Sequence, residues 1–67
     1  MKVYKLLAHA PVIDSDGNWN VYCTVQRGNS LVYGVIVCET MKEAFSIKEG
    51  DTLSEKLSKK FEQRING

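Results

Sequence analysis

Two stretches flanking Gly28-Asn29 constrain this chain more than any other feature of its sequence. Residues 19–26 (WNVYCTVQ) alternate apolar and polar with a period of two, and residues 31–38 (LVYGVIVC) form an unbroken apolar run. Alternation marks a half-buried strand, a continuous run marks one covered on both faces, and a Gly-Asn break between them marks a hairpin. With Gly28 and Asn29 as the turn, the numbers of paired residues sum to 57, and opposite residues share a face. One face then carries Trp19, Val21, Cys23, Val25, Val32, Gly34, Ile36 and Cys38, all apolar or small, and is expected to lie beneath helices. The outer face carries Asn20, Tyr22, Thr24, Gln26, Leu31, Tyr33, Val35 and Val37, half of them large and apolar.

Residues 2–13 (KVYKLLAHAPVI) read as a further extended segment, with Pro11 removing a donor and suiting an edge or a bulge. Tyr4, Leu6, Ala8, Ala10 and Val12 are expected to face the helices, leaving Lys5, Leu7 and His9 on the outer face. Asp14-Ser15-Asp16-Gly17-Asn18 is a dense turn signal joining this segment to the hairpin. Beyond residue 39 the period changes. Thr40-Met41-Lys42-Glu43 and Thr52-Leu53-Ser54-Glu55 both have the spacing of a capping box, and Gly50 between them suits a helix stop. Leu53, Leu57, Phe61 and Ile65 recur every fourth residue as one apolar stripe, with Glu55 and Lys59 paired on the solvent side. An alternative makes Phe45-Ser46-Ile47 a short fourth strand. The expectation is a single α+β domain over residues 1–67. A three-stranded antiparallel meander (about 2–13, 19–26, 31–39) precedes a short and a longer helix (about 41–49, 53–65) packed on one face.

At 67 residues the core is small and marginal unless a disulfide, a metal or a partner reinforces it. With 43% apolar and 25% charged residues the composition is that of an ordinary globular domain, and a net charge of +1 supplies no strong field toward nucleic acid or membrane. Two cysteines are too few for a secreted disulfide scaffold, and no stretch approaches the length of a membrane span. Lys2 followed by an apolar run ending in Ala8-His9-Ala10 imitates a signal peptide, but the run is short and interrupted by Tyr4 and Lys5. A cytoplasmic location is the expectation.

No residue pattern carries catalytic chemistry. His9 is the single histidine and has no nucleophile or carboxylate at a recognisable spacing. Asp14–Asn18 begins like a calcium loop, yet Gly17 falls at loop position four rather than six, and Val25 stands where the closing glutamate belongs. Cys23 opposes Gly34 and Cys38 opposes Trp19 in the hairpin register, so the two are expected to be buried, reduced thiols rather than a disulfide. Neither metal, cofactor nor catalytic residue is expected.

Asp16-Gly17-Asn18-Trp19, a hairpin, and then Thr40-Met41-Lys42-Glu43-Ala44 resembles the sheet-then-helix layout of integrase arm-type DNA-binding domains. The same run is similar to HicB-type antitoxins, and both likenesses span about residues 14–46. The strands depart from the first by contributing Arg27 and few other basic groups, and the chain departs from the second by lacking a clear partner-binding tail. The chain is assigned to neither.

Function is therefore argued from surface. An apolar patch rimmed by polar groups on a small domain marks a contact surface. The leading expectation is a non-enzymatic protein-binding module that self-associates, as a homodimer, through Tyr22, Tyr33, Val35, Val37, Leu31 and His9. Such an accessory module suits a bacterial, phage or mobile-element setting. The alternative is a small nucleic-acid-binding domain, with Tyr22 and Tyr33 as a stacking platform and Arg27, Lys56, Lys59, Lys60 and Arg64 as phosphate contacts.

Overall fold

A computed structural model describes residues 1–65. Seven elements follow in order: β1 (Lys2–Leu6), β2 (Val12–Ile13), β3 (Trp19–Arg27), β4 (Ser30–Cys38), α1 (Met41–Phe45), α2 (Glu55–Lys59) and β5 (Phe61–Gln63). The class is α+β, but the sheet has five strands rather than three. They run in the antiparallel order β1-β3-β4-β5, with β2 also paired to β3.

The β3–β4 hairpin has the register expected from its turn: Trp19 opposes Cys38, Tyr22 opposes Val35, Cys23 opposes Gly34 and Arg27 opposes Ser30. Gly28 sits at φ +60 and, among the described residues, no non-glycine has a positive φ, the combination a type II′ turn requires. The inward face is as expected. Val21, Cys23, Val25, Ile36 and Cys38 are buried and pack with Ala44, Ile47 and Leu53 from the helical side.

The first segment is not one strand. A bulge between Val3 and Lys5 takes Tyr4 out of the ladder, where it is 58% exposed, and puts Val3 inward opposite Val25. Lys5 then lies on the outer face opposite Thr24, while Leu6 returns inward opposite Cys23. Ala8 and Ala10 belong to the connection before β2, and Val12 opposes Asn20 on the outer face. Of the five side chains expected against the helices, Leu6 packs on the core, Ala8 and Ala10 line a cleft beside α1 from the connection, and Tyr4 and Val12 are turned away. The inserted residue shifts the alternation, so the facing before the bulge, at Lys2 and Val3, is opposite to that expected, while Lys5 and Leu6 beyond it face as expected.

The C-terminal third departs further. Helix α1 ends at Phe45 rather than near residue 49, and no strand forms over 45–47. Thr40 Oγ1 accepts the Glu43 amide at 3.1 Å, so the cap forms, but the Glu43 carboxylate pairs with Lys56 and Lys60 instead of closing the box. Gly50, at φ +90, is the third residue of a turn in which the Asp51 amide donates to Lys48 O, rather than a helix stop. That turn sends residues 50–53 along β1: Asp51 O accepts the Val3 amide, and the Gly50 and Leu53 amides donate to Val3 O and Met1 O, each at 2.8 Å. Thr52 is thereby used in a bridge to Lys2, and Ser54 caps the second helix through the Leu57 amide at 3.2 Å.

Helix α2 is five residues long, not thirteen. At Lys60 the chain turns extended, and β5 pairs with the free edge of β4. The Val37 amide donates to Lys60 O at 3.1 Å and the Arg64 amide to Tyr33 O at 2.9 Å. Edge pairing satisfies backbone groups that a longer helix would leave open on β4, and outweighs the modest local preference for helix. The four-residue stripe therefore splits: Leu53 is buried, Leu57 is half-buried on α2, Phe61 opposes Ile36 in the sheet, and Ile65 is 96% exposed. Phe61 needs Gly34. A Cβ on Gly34 would stand 2.5 Å from Phe61 Cζ and collide with Glu62 O.

Candidate interaction surface

Because α1 and α2 pack on the inward face, no helix among the described residues covers the other side of the sheet. Its rows follow from the ladder. One runs Tyr22–Val35–Glu62, with the Leu7 amide donating to Tyr22 O at its end. The next runs Lys5–Thr24–Tyr33, with Arg64 joined to Tyr33 O. Beyond these lie Lys2–Gln26–Leu31 and Val12–Asn20–Val37. Tyr22 and Tyr33 are diagonal neighbours and half-buried, as is Val37, whereas Leu31 and Leu7 are 55% and 46% exposed.

Val35 is the exception. It is 0% exposed and lies outside the helical-side core, so its own face neighbours, Tyr22, Tyr33 and Glu62 among them, enclose it. A partner would meet the side chains around Val35 rather than Val35 itself. Asn20 is also buried, its Nδ2 donating to Asp14 Oδ2 at 2.9 Å and Val12 O at 3.3 Å. Asp14 Oδ1 accepts the Asp16 and Asn18 amides at 2.9 and 3.0 Å. The Asn20 amide, with the turn amides, holds the Asp14 carboxyl below its ordinary value. This carboxylate closes a turn.

His9 does not lie on the sheet. The edge strand leaves β3 after Leu7 and returns at Val12, and the connection bearing His9 stands over a cleft of about 120 Å³ against Ala44, Phe45 and Ile47. Beside that cleft lies an apolar group on the helical side that sequence reasoning missed. Ile13 pairs with Trp19, whose ring meets Phe45 edge-on at 6.2 Å, and Ile13, Met41 and Phe45 are each more than half exposed. Sequence spacing carried no signal for it, because Ile13 faces that way only through the placement of β2.

The five cations proposed for phosphate do not form one cluster. Lys56 and Lys59 are on α2, Lys60 is its C-cap, Arg64 follows β5, and Arg27 lies 5.9 Å from the centre of the Phe61 ring. Four of the five have an acidic neighbour: Lys56–Glu43 at 3.4 Å, Lys59–Glu55 at 3.6 Å, Lys60 with Glu39 and Glu43 at 3.3 Å, and Arg64–Glu62 at 3.3 Å. Burial disfavours charge on both Glu43 and Lys60. Their mutual pairing outweighs it, with Lys56 helping Glu43 and Glu39 helping Lys60, so the carboxyl is held low and the ammonium high. The outer face itself carries Lys2, Lys5 and Arg64 against Glu62. Lys2 reached that face unforeseen, through the bulge.

Cys23 and Cys38 are buried free thiols. Burial, with Cys38 adding to it, pushes the Cys23 thiol up to about 11, and burial followed by Glu43 raises Cys38. Both are poor nucleophiles. Among the described residues no three metal-binding side chains converge, and no helix is long and apolar enough to cross a membrane. No protein-family model, curated protein or solved structure matches this chain.

Proposed function

We propose that this chain is a non-enzymatic binding module whose working surface is the outer face of the sheet, and that its first partner is a second copy of itself. The observation that carries the reading is the composition of a face no helix covers. Tyr22, Tyr33, Val37, Leu31 and Leu7 share this face with a buried Val35, and its charges lie on the edge strands β1 and β5 and just beyond β5 at Arg64. Tyrosine is a frequent energetic anchor of interfaces, since one ring covers much area for little lost rotamer freedom.

The available area sets the strength. Two nine-residue central strands at about 3.4 Å per residue and four strands at about 4.8 Å spacing make a face of roughly 500 Å² once the shorter edges are allowed for. Two copies would bury about 1,000 Å² in total, the low end for a specific contact. The association is accordingly a weak, concentration-dependent dimer.

Sedimentation across concentration tests this. The wild-type chain should move from its 7.6 kDa monomer toward twice that mass at tens of micromolar. Tyr22→Ala with Tyr33→Ala should abolish the shift while circular dichroism stays native. A monomer at every concentration would sink the reading. A second reading has one observation in its favour: Lys2, Lys5 and Arg64 share the face with the two tyrosines. On that reading the face stacks single-stranded nucleic acid, each lost ring costs about 1–3 kcal/mol of affinity, and binding falls steeply with salt. Fluorescence anisotropy with a labelled oligonucleotide separates the two.

A further inference from the structure

The charges at the edges of the outer face select how two copies would meet. Resting on the self-association reading, we infer that β1 of one copy lies over β5 of the other, so that Lys5 meets Glu62 across a two-fold axis running along the strands. Two sheets stacked face to face keep their strands nearly aligned. An aligned, isologous pair can form in two ways. With the axis along the strands, β1 stacks on the partner's β5. With the axis across them, β1 stacks on the partner's β1.

The edges are electrically unlike. The outer face presents Lys2 and Lys5 along β1, with Glu49 at the strand's edge engaged by the Leu6 amide at 2.9 Å, and Glu62 beside Arg64 along β5. Stacking β1 on β1 gathers four lysines at one side of the interface, where the acidic groups beside them are the two Glu49 carboxylates, each already accepting its own Leu6 amide. Stacking β1 on β5 divides the cations equally and puts a Glu62 on each side. Within a low-dielectric contact, like charges brought together cost several kcal/mol and specify against that arrangement. The reach is adequate. Lys5 and Glu62 lie in adjacent rows, two residues or about 7 Å apart along the strand, within the span of a lysine side chain. Glu62 can accept from Lys5 of the other copy while keeping Arg64 of its own. The hydrophobic centre is indifferent to the choice, because both arrangements stack the Tyr22 and Tyr33 rows near the axis.

Carbodiimide chemistry reads the arrangement, since it joins an ammonium to a carboxylate in contact without a spacer. Within one copy Lys5 and Glu62 are separated by three strand spacings, about 14 Å, so an amide between them reports a second copy. The test treats the full chain at a concentration where sedimentation shows dimer, with mixed nitrogen-14 and nitrogen-15 protein to mark links between copies. The expected product is an inter-copy Lys5–Glu62 amide, absent in Glu62→Gln. A dimer that instead yields Lys2 or Lys5 joined to the same lysines of its partner by a short amine-reactive linker, and no Lys5–Glu62 amide, overturns the inference while sparing the self-association reading. A chain that stays monomeric overturns that reading and the inference with it.

Discussion

Gly34→Ala should destabilise the fold more than alanine at Gly17, Gly28 or Gly50. The new Cβ would stand 2.5 and 2.7 Å from Phe61 Cζ and Cε1 and overlap Glu62 O, distances no real Cβ keeps. A side-chain clash alone could be relieved by rotating the ring, but a backbone oxygen moves only with its strand. Relief therefore draws β5 away from β4, loosening the Val37–Lys60 and Arg64–Tyr33 hydrogen bonds and uncovering Phe61. Overpacking of this kind costs about 1–3 kcal/mol, and each disturbed backbone bond adds about 1 kcal/mol. The sum, about 3–5 kcal/mol, is comparable with the whole stability of so small a domain. Urea unfolding followed by circular dichroism measures it. Gly17→Ala is the control: it meets no atom within 4 Å and carries only the strain of φ +82, about 1 kcal/mol. Equal midpoints for Gly34→Ala and wild type would mean that Phe61 does not lie across Gly34, and the placement of β5 would fall.

Phe61→Ala should lower stability by about 2–4 kcal/mol, while Lys59→Ala, which loses only an exposed pair with Glu55, should change it by less than about 0.5 kcal/mol; equal effects would refute the packing of β5. The Asp14 carboxyl is held below its ordinary value in the fold, so its contribution is complete above the unfolded value near 3.8 and is lost as pH falls through the lower folded value. Acid titration should show that loss in wild type and a flatter acid limb in Asp14→Ala. Lys60 works in the other direction, its raised value giving stability that is present below about 10.5 and lost as alkali passes the folded value. Cys23 and Cys38 should resist a thiol reagent at pH 8 in the folded protein and react at once in denaturant; fast labelling of both native thiols would contradict their burial.

What the sequence by itself determined lies between Trp19 and Cys38. There the Gly28-Asn29 turn pins the register and alternation assigns both faces, because strand facing has a period of two and a two-residue turn leaves no slack. The tyrosine face was legible for the same reason. So was the burial of the cysteines. Outside that hairpin the Asp14–Asn18 turn and the Thr40 cap were legible locally, but the strand facings and the helix ends depended on partners distant in sequence. Lys2-Val3-Tyr4-Lys5 does not announce a bulge; the ladder with β3 on one side and the 50–53 segment on the other makes it the arrangement that satisfies the backbone and buries Val3. Phe61 carries a helical spacing, yet the open edge of β4 and the missing side chain at Gly34 draw it into the sheet. Local pattern sets what a segment prefers by a few tenths of a kcal/mol per residue, whereas an unpaired edge and an unfilled core position are worth several kcal/mol together. Edge pairing and core filling act only once the chain has closed on itself, and they decided both edges of the sheet.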